Sequence, residues 1–334
     1  MINFFLFPIL ILILNTIIKK FNYLPNYNGS RHQTFTNVSN IPLSGGIYIL
    51  VLLSILFFSK ITLIIFCVII FLIGLASDKN VLTSPKKRLI LQILTVLSFV
   101  YFFDLTIQNT RVEIIDKILE SYYIKFIFTS FCILVLINGS NFIDGLNSLL
   151  LGYFTIILFI IFNLGLLNQL EINQVEIFFL FFALLLLVFC NFFNFFFLGD
   201  SGSYLIGLFL SYLLISIYNN NLYSVSPYFV IVLLWYPCFE NLFSIIRKKI
   251  SNISPTKADH NHLHQLIFIS FQNITNIPKK YLNSIVSIII NIFNFVVLYV
   301  ASLEYNSSIY QISVLIFCVA TYLFLYFLLK KKLG

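Results

Sequence analysis

Charged residues are scarce in this sequence, and so are segments of the kind that separate domains. Only 10% of the 334 residues are Asp, Glu, Lys or Arg, whereas 60% are hydrophobic, and the mean hydropathy is +0.99. This composition excludes an ordinary soluble globular protein. The sequence also lacks linkers rich in Pro, Gly or Ser, and it lacks a detectable repeat. We therefore expect a single integral membrane domain over residues 1–334.

Cysteine pairs are missing as well. All five cysteines fall inside apolar runs, without the spacing of a metal or disulfide motif: Cys67, Cys132, Cys190, Cys238 and Cys318. Cysteines in such surroundings usually act as small apolar packing residues. We expect neither disulfides nor cysteine metal ligands.

Long apolar runs fill the chain instead. Each run has about 17 to 22 residues, which suffices for a helix to cross roughly 30 Å of hydrocarbon. The first run begins at Ile2, and the others are predicted near 43–59, 61–77, 89–103, 122–137, 147–168, 176–197, 203–218, 227–246, 281–301 and 308–329. The sequence therefore predicts an all-α protein, a polytopic membrane bundle of about 11 transmembrane helices.

The distribution of Lys and Arg orients this bundle. The first run has no basic residue ahead of it and is followed by Lys19 and Lys20, which is the wrong polarity for a cleaved signal peptide. If the N terminus lies outside, most Lys and Arg residues fall in cytoplasmic loops, as the positive-inside rule requires. We expect a cytoplasmic C terminus. The net charge of +8 is then a topology signal, and nucleic-acid binding is not indicated.

Three carboxylates stand at the predicted cytoplasmic ends of spans. Asp78, Asp144 and Asp200 are at the inner ends of the third, fifth and seventh spans, and a histidine cluster follows the ninth. Hydrocarbon satisfies no hydrogen bonds, so such groups must face water, a partner or a bound ion. Ionisable residues at this depth are candidates for function, and simple hydration of helix ends is the alternative.

The carboxylates occur in polar motifs that suit phosphate chemistry. Asp78 is followed by Lys86, Lys87 and Arg88, so an acid and several cations lie within ten residues of each other. In a phosphate site, the acid is a base or a metal ligand and the cations hold anionic oxygens. The alternative is a cytoplasmic loop with one paired acid.

Glycines flank Asp200 in the segment Gly199 to Ser203, at the start of a predicted helix. Such a turn exposes backbone amides and can direct Asp200 toward a hard cation such as Mg²⁺, which needs only one or two protein oxygens. A helix N-cap is the alternative. A further polar segment, Asn138 to Ser148, contains Asn138, Asn141 and Asp144 between two apolar runs.

Histidines are concentrated after the ninth span. That span ends with Glu240 and Arg247, and His260, His262 and His264 follow within a short loop. Zinc is disfavoured, because no Cys or further His is nearby to complete a tetrahedral site. Imidazoles that donate to phosphate or sugar hydroxyls are favoured, and hydrated loop histidines are the alternative.

Together these motifs resemble the polyprenyl-phosphate N-acetylhexosamine-1-phosphate transferases of glycosyltransferase family 4. The matching pieces occur in the family's order over most of the chain: Arg31, His32 and Pro42 to Gly46; Gly74 to Gln92; Asn138-x-x-Asn141-x-x-Asp144-Gly145-Leu146; Gly199 to Ser203; and Asp259-x-Asn261-His262-Leu263-His264. Each piece is weak alone, and the five together are specific. The resemblance favours the branch that primes surface polysaccharides over the phospho-MurNAc-pentapeptide translocase.

The resemblance implies a reaction in the bacterial inner membrane, at its cytoplasmic face. Undecaprenyl phosphate would attack the β-phosphate of a UDP-N-acetylhexosamine, giving polyprenyl-diphospho-sugar and UMP, with Mg²⁺ or Mn²⁺ as cofactor.

The family motifs imply that Asp200 and Asn141 bind the metal ion. They also imply that Asp78 contacts or deprotonates the lipid phosphate and that Asp144, with Asn138, lies at the nucleotide-sugar site. The diphosphate or sugar would contact Arg247, His262 and His264, and the lipid phosphate Lys86, Lys87 and Arg88. The resemblance also allows a homodimer.

Two departures from the family pattern concern the carboxylates. Ser77 stands where the family usually has the first of two adjacent aspartates, and Asn147 stands where a further aspartate is usual. A non-catalytic polyprenyl-phosphate-binding protein is therefore one alternative. A lipid transporter is another, although it should carry its acids in mid-span near broken helices.

Overall fold

The computed structural model describes residues 7–21, 24, 41–167, 173–252, 254 and 261–333. These residues form helices and the turns that join them, with no strand among them. In chain order the helices are α1 (Phe7–Phe21), α2 (Gly45–Leu56), α3 (Ile61–Asp78), α4 (Pro85–Phe103), α5 (Glu113–Ile118), α6 (Tyr122–Ile143), α7 (Leu149–Asn163), α8 (Gln174–Phe192), α9 (Gly199–Asn220), α10 (Pro227–Leu233), α11 (Trp235–Ile250), α12 (Leu263–Ile274), α13 (Lys279–Leu303) and α14 (Ser308–Leu333). The predicted all-α class is confirmed.

Six of these helices are long and apolar enough to cross a membrane: α3, α6, α8, α9, α13 and α14. The pair α10 and α11 passes the same test when taken together, which gives up to seven spans. Each of the eleven predicted runs overlaps a helix, but the count of eleven is not confirmed. Helices α1, α2 and α7 have only 12 to 15 residues, and α4 begins with three cations.

The predicted ninth span is broken rather than continuous. Helices α10 and α11 are bent by 76° about Leu234. Pro237 lies in the first turn of α11 and has no backbone N–H to donate. In a continuous helix its ring would clash with the carbonyl group four residues earlier. That carbonyl, of Leu233, instead accepts a hydrogen bond from the Tyr153 hydroxyl at 2.9 Å. Pro237 therefore accounts for the break.

Helix α9 is the centre of the bundle. Most of its residues are buried, and it packs against α2, α3 and α6. The contact with α3 is closest at Gly74, where a Cβ atom would lie 2.4 Å from the Ser201 Cα. A larger side chain at residue 74 would separate the two helices, so Gly74 is needed where α3 meets the first turn of α9.

Candidate active site

The start of α9 is fixed by a carboxylate from α3. Asp78, the last residue of α3, is 2% exposed and accepts hydrogen bonds from the backbone N–H groups of Asp200 (2.8 Å) and Ser201 (3.0 Å). The first N–H groups of a helix have no partners within the helix, and its N terminus carries partial positive charge. Asp78 therefore satisfies two such donors and joins α3 to α9.

Gly199 permits this junction. Its φ angle is +75°, a left-handed conformation that glycine adopts without the penalty of a side chain. A Cβ atom on residue 199 would also lie 2.7 Å from the Asp78 Oδ2 atom. Any other residue would strain the backbone and press on the carboxylate.

The Asp200 carboxylate is held by three side chains. Its Oδ2 atom accepts hydrogen bonds from the Ser77 hydroxyl (2.6 Å), from Arg88 Nη1 (2.8 Å) and, at 3.3 Å, from the Tyr204 hydroxyl. Arg88 also donates to the Ser77 Oγ at 2.6 Å. The side chains of Arg88 and Asp200 are 26% and 23% exposed. This ion pair thus stays accessible to a ligand while its geometry is fixed.

The third carboxylate closes the cluster. Asp144 follows the last residue of α6, is half-buried and lies near Asp78, Asp200 and the Gly199 amide. Desolvation, and then the negative charges of Asp200 and Asp78, raise the pKa of Asp144 well above its ordinary value. When all three acids are ionised they outnumber the one arginine, and a bound cation would relieve the repulsion that raises this pKa.

Two amides on α6 complete this side of the cluster. Asn141 Oδ1 accepts a hydrogen bond from the Ser203 hydroxyl at 3.0 Å, and the same hydroxyl is 3.2 Å from the Asp200 carbonyl oxygen. Asn138 lies one turn earlier and donates through Nδ2 to Gln92 Oε1 at 3.1 Å. Asn141 is therefore linked to the first turn of α9, whereas Asn138 is linked to α4.

The histidine motif meets the same end of α6. A Cβ atom on Gly145 would lie 2.3 Å from His264 Nε2, so the residue after Asp144 must be small. The ring centroid of His262 is 5.2 Å from that of Phe142. His262 and His264 thus pack against the segment that carries Asp144.

The remaining predicted cations lie elsewhere. Lys86 and Lys87 are exposed at the start of α4, one turn or less from Arg88. Arg247 donates to the Asn261 carbonyl oxygen and, at 2.8 Å, to the Tyr326 hydroxyl, so it fixes the histidine loop against α14. Arg31, His32, Asp259 and His260 lie outside the described residues.

Sequence reasoning missed two features of the site. It treated Ser77 as a missing acid, whereas the structure gives Ser77 two polar partners, and it assigned no partner to Glu240, which contacts His262. The position of Ser77 beside Asp78 indicates that it lies at the site. The position of Glu240, a charged residue inside an apolar run, indicates that it needs a polar partner.

The donor set suits a hard cation shared with a ligand. Within the described ranges, no group of three or more His, Cys, Asp or Glu side chains forms a metal centre on its own. Mg²⁺ commonly binds through one or two carboxylates and completes its shell with water and substrate phosphate. The Asp200 carboxylate and the Asn141 amide oxygen are donors of that kind, and Ser203 links Asn141 to the main-chain carbonyl oxygen of Asp200.

Comparison with known proteins agrees with this chemistry. The family model described as Glycosyl transferase family 4 matches residues 60–218, a range that contains Asp78, Arg88, Asp144 and Asp200. The undecaprenyl-phosphate alpha-N-acetylglucosaminyl 1-phosphate transferase of Thermotoga maritima is 24% identical over 257 residues, which cover 72% of this chain and 78% of the relative. The family match and this relative support the resemblance to glycosyl transferase family 4 that the motifs suggest, and the chain is an enzyme of the phosphoglycosyl transferase class.

Proposed function

We propose that the enzyme transfers N-acetylhexosamine 1-phosphate from a UDP-sugar to undecaprenyl phosphate. A phosphate oxygen of the lipid would attack the β-phosphorus of the donor, the bond between that phosphorus and the bridging oxygen would break, and UMP would leave with the bridging oxygen. The product is undecaprenyl-diphospho-sugar. The observation that carries the proposal is the meeting of Asp78, Asp144 and Asp200 with Arg88 at one end of the bundle. Transfer of this kind depends mainly on positioning and charge stabilisation.

Asp200 and Asn141 are the residues we assign to a magnesium ion. Oδ2 of Asp200 is engaged by Ser77 and Arg88, which leaves Oδ1 for a cation. When bound, Mg²⁺, or Mn²⁺ in its place, would neutralise and orient the donor diphosphate. Asp144, on the neighbouring end of α6, would face the nucleotide-sugar.

The cations divide between the two substrates in this proposal. Arg88 sits beside Asp200 and would hold anionic oxygens near the reacting phosphorus, while the exposed Lys86 and Lys87 would receive the lipid phosphate. His262 and His264 would contact the donor from the loop that packs against the end of α6, and Arg247 would act by fixing that loop.

In this proposal Asp78 mainly stabilises the structure of the site, whereas the motif implied direct contact with the lipid phosphate. Both of its oxygens accept backbone hydrogen bonds, so it holds the turn that carries Asp200. Proton removal from the lipid phosphate would compete with those bonds. We place the site at the cytoplasmic face of a bacterial inner membrane, with the N terminus outside, from the lysine and arginine bias.

The test is UMP release by the purified protein with undecaprenyl phosphate, Mg²⁺ and a panel of UDP-N-acetylhexosamines that includes UDP-MurNAc-pentapeptide. We expect release that needs the lipid, stops with EDTA and is selective for a donor without the peptide. Preference for the pentapeptide donor would move the enzyme to the translocase branch. No UMP from any donor, with lipid binding intact, would overturn the proposal.

A further inference from the structure

Glu240 is a buried carboxylate that the proposed chemistry does not use. It lies on α11, its side chain is 0% exposed, and both of its oxygens accept hydrogen bonds. Oε1 is 2.9 Å from His262 Nδ1, and Oε2 accepts from the Tyr322 hydroxyl of α14 at 2.8 Å. Helices α11 and α14 and the histidine loop therefore meet at this one side chain.

The charge of Glu240 needs a nearby positive partner. Burying an unpaired carboxylate is costly, and the cost falls when a cation hydrogen-bonds to it. The titratable and charged groups near the Glu240–His262 pair are His264 at the start of α12, Tyr322 from α14, and Tyr236 and Arg247 from α11. Lys248 of α11 is also near, with Nζ 5.8 Å from the centroid of the Phe142 ring that His262 contacts. His262 is the group in direct contact that can gain a proton, since the Arg247 guanidinium binds Asn261, Ser244 and Tyr326.

The contact between Glu240 and His262 Nδ1 also determines which polar group the opposite edge of the His262 ring presents. With Nδ1–H donating to the carboxylate, a protonated His262 has a second donor at Nε2–H. The His262 ring packs against Phe142 and against His264, whose ring is parallel to it within 8° at a centroid distance of 5.7 Å. Phe142 is two residues from Asp144 in sequence, so the ring lies beside the candidate donor site.

We propose that Glu240 is a positioning residue that keeps His262 protonated and oriented, so that Nε2–H binds an anionic phosphate oxygen of the nucleotide-sugar. The inference rests on the proposed function for the identity of that ligand. It predicts that Glu240 acts through His262 alone and affects the donor rather than the lipid acceptor.

The first test does not depend on turnover. The chain has only four histidines, so ¹⁵N labelling of histidine gives a simple spectrum, and the His262→Gln variant assigns the His262 signals. At about one pH unit above the ordinary histidine pKa of about 6.5, we expect imidazolium shifts for His262 in the wild type and neutral shifts in Glu240→Gln. Neutral shifts in the wild type would overturn the inference, whatever the enzyme transfers.

The second test is kinetic. Glu240→Gln keeps the size of the side chain and can still accept from Nδ1, but it removes the charge. We expect the donor KM to rise about tenfold, with the KM for undecaprenyl phosphate changed by less than about twofold. In a His262→Gln background, the same substitution should change the donor KM by less than about twofold, because the two residues act as a unit.

A matched control separates this effect from poor folding. Gln311→Leu removes a buried side chain that donates to the Ala301 and Glu304 carbonyl oxygens, away from the histidine loop. It should lower the active fraction and leave both KM values unchanged. If Glu240→Gln behaves like Gln311→Leu, or if its effect adds fully to that of His262→Gln, the inference is wrong. Absence of UMP release by the wild type would instead refute the proposed function.

Discussion

The Ser77 hydroxyl donates a hydrogen bond to the Asp200 carboxylate at 2.6 Å, across 123 positions of sequence. Arg88 donates to both of these side chains, so the three form a closed triangle. Ser77 therefore fixes the carboxylate that we assign to the metal without adding a negative charge of its own. The site has one fewer acid than the resembled family usually has, and a neutral hydrogen-bond donor occupies that position.

Removing the Ser77 hydroxyl should weaken catalysis more than folding. Ser77→Ala leaves Asp200 with Arg88 but without its second short donor, and hydrogen bonds to charged groups contribute about 1.5–3 kcal/mol. We expect kcat to fall at least about tenfold in the UMP-release assay. Ser77→Thr keeps the hydroxyl and is the matched control. Equal losses in both variants would show that the space around residue 77, and not its hydrogen bond, matters.

Asp78→Asn distinguishes an anchor from a base. An amide offers one acceptor oxygen, and its NH₂ group would face a backbone N–H, so we expect a loss of about 1.5–3 kcal/mol in stability together with lower activity. Thermal unfolding in detergent and UMP release measure the two effects. A variant that unfolds like the wild type yet is inactive would assign proton removal to Asp78 instead.

Asp200→Asn tests the metal assignment. Replacing the carboxylate by an amide removes the charge that attracts the cation, so the Mg²⁺ concentration for half-maximal activity should rise by about tenfold or more. Glu113→Gln is the control, because Glu113 is an exposed acid paired with Lys117 on α5. An unchanged Mg²⁺ requirement in the Asp200 variant would remove Asp200 from the metal site.

Asn147 is predicted to be structural, although it occupies a position where the resembled family often has an acid. Its Nδ2 donates to Asn194 Oδ1 at 2.7 Å, and its backbone N–H donates to Asn283 Oδ1 at 2.7 Å. Asn147→Asp would lose the side-chain donor and bring a carboxylate against an amide oxygen. We expect a loss of about 1–3 kcal/mol in the free energy of unfolding.

The control for this prediction is Asn220→Asp, which makes the same change at an exposed position on α9. This variant loses only an exposed hydrogen bond to the Ser216 carbonyl oxygen, which water can replace, so its free energy of unfolding should fall by less than about 1 kcal/mol. If the two variants unfold alike, the hydrogen bonds of Asn147 contribute little to stability.

The sequence predicts the parts of this molecule that depend on composition and local order. Apolar runs predict the helical class, and the three carboxylates stand out because each interrupts or ends such a run. The break between α10 and α11 was readable from Pro237 but was outweighed by the continuous hydropathy of residues 227–246. At four predicted spans the observed helix is too short to cross a membrane or has charges in its first turn, and a hydropathy window does not detect either difference.

Pairings between distant residues could not be predicted in the same way. The partners of Ser77 and Glu240 depend on how α3 packs against α9 and how α11 packs against α14, and both are set by the shapes of many side chains. Gly74 and Gly145 are visible in the sequence, but the atoms that approach them belong to α9 and α12. Periodicity predicts which elements form and says little about which ones meet.

The junction between Asp78 and the start of α9 also has a consequence for biosynthesis. The hydrogen bonds of this junction join residues that are 122 and 123 positions apart in sequence. The ribosome therefore completes α3 long before it makes the Asp200 and Ser201 amides that donate to the Asp78 carboxylate. At about 5–20 residues per second, that delay is about 6 to 24 seconds. A carboxylate in the middle of α3 would spend the delay in hydrocarbon, whereas one at the helix end can remain hydrated until α9 is inserted.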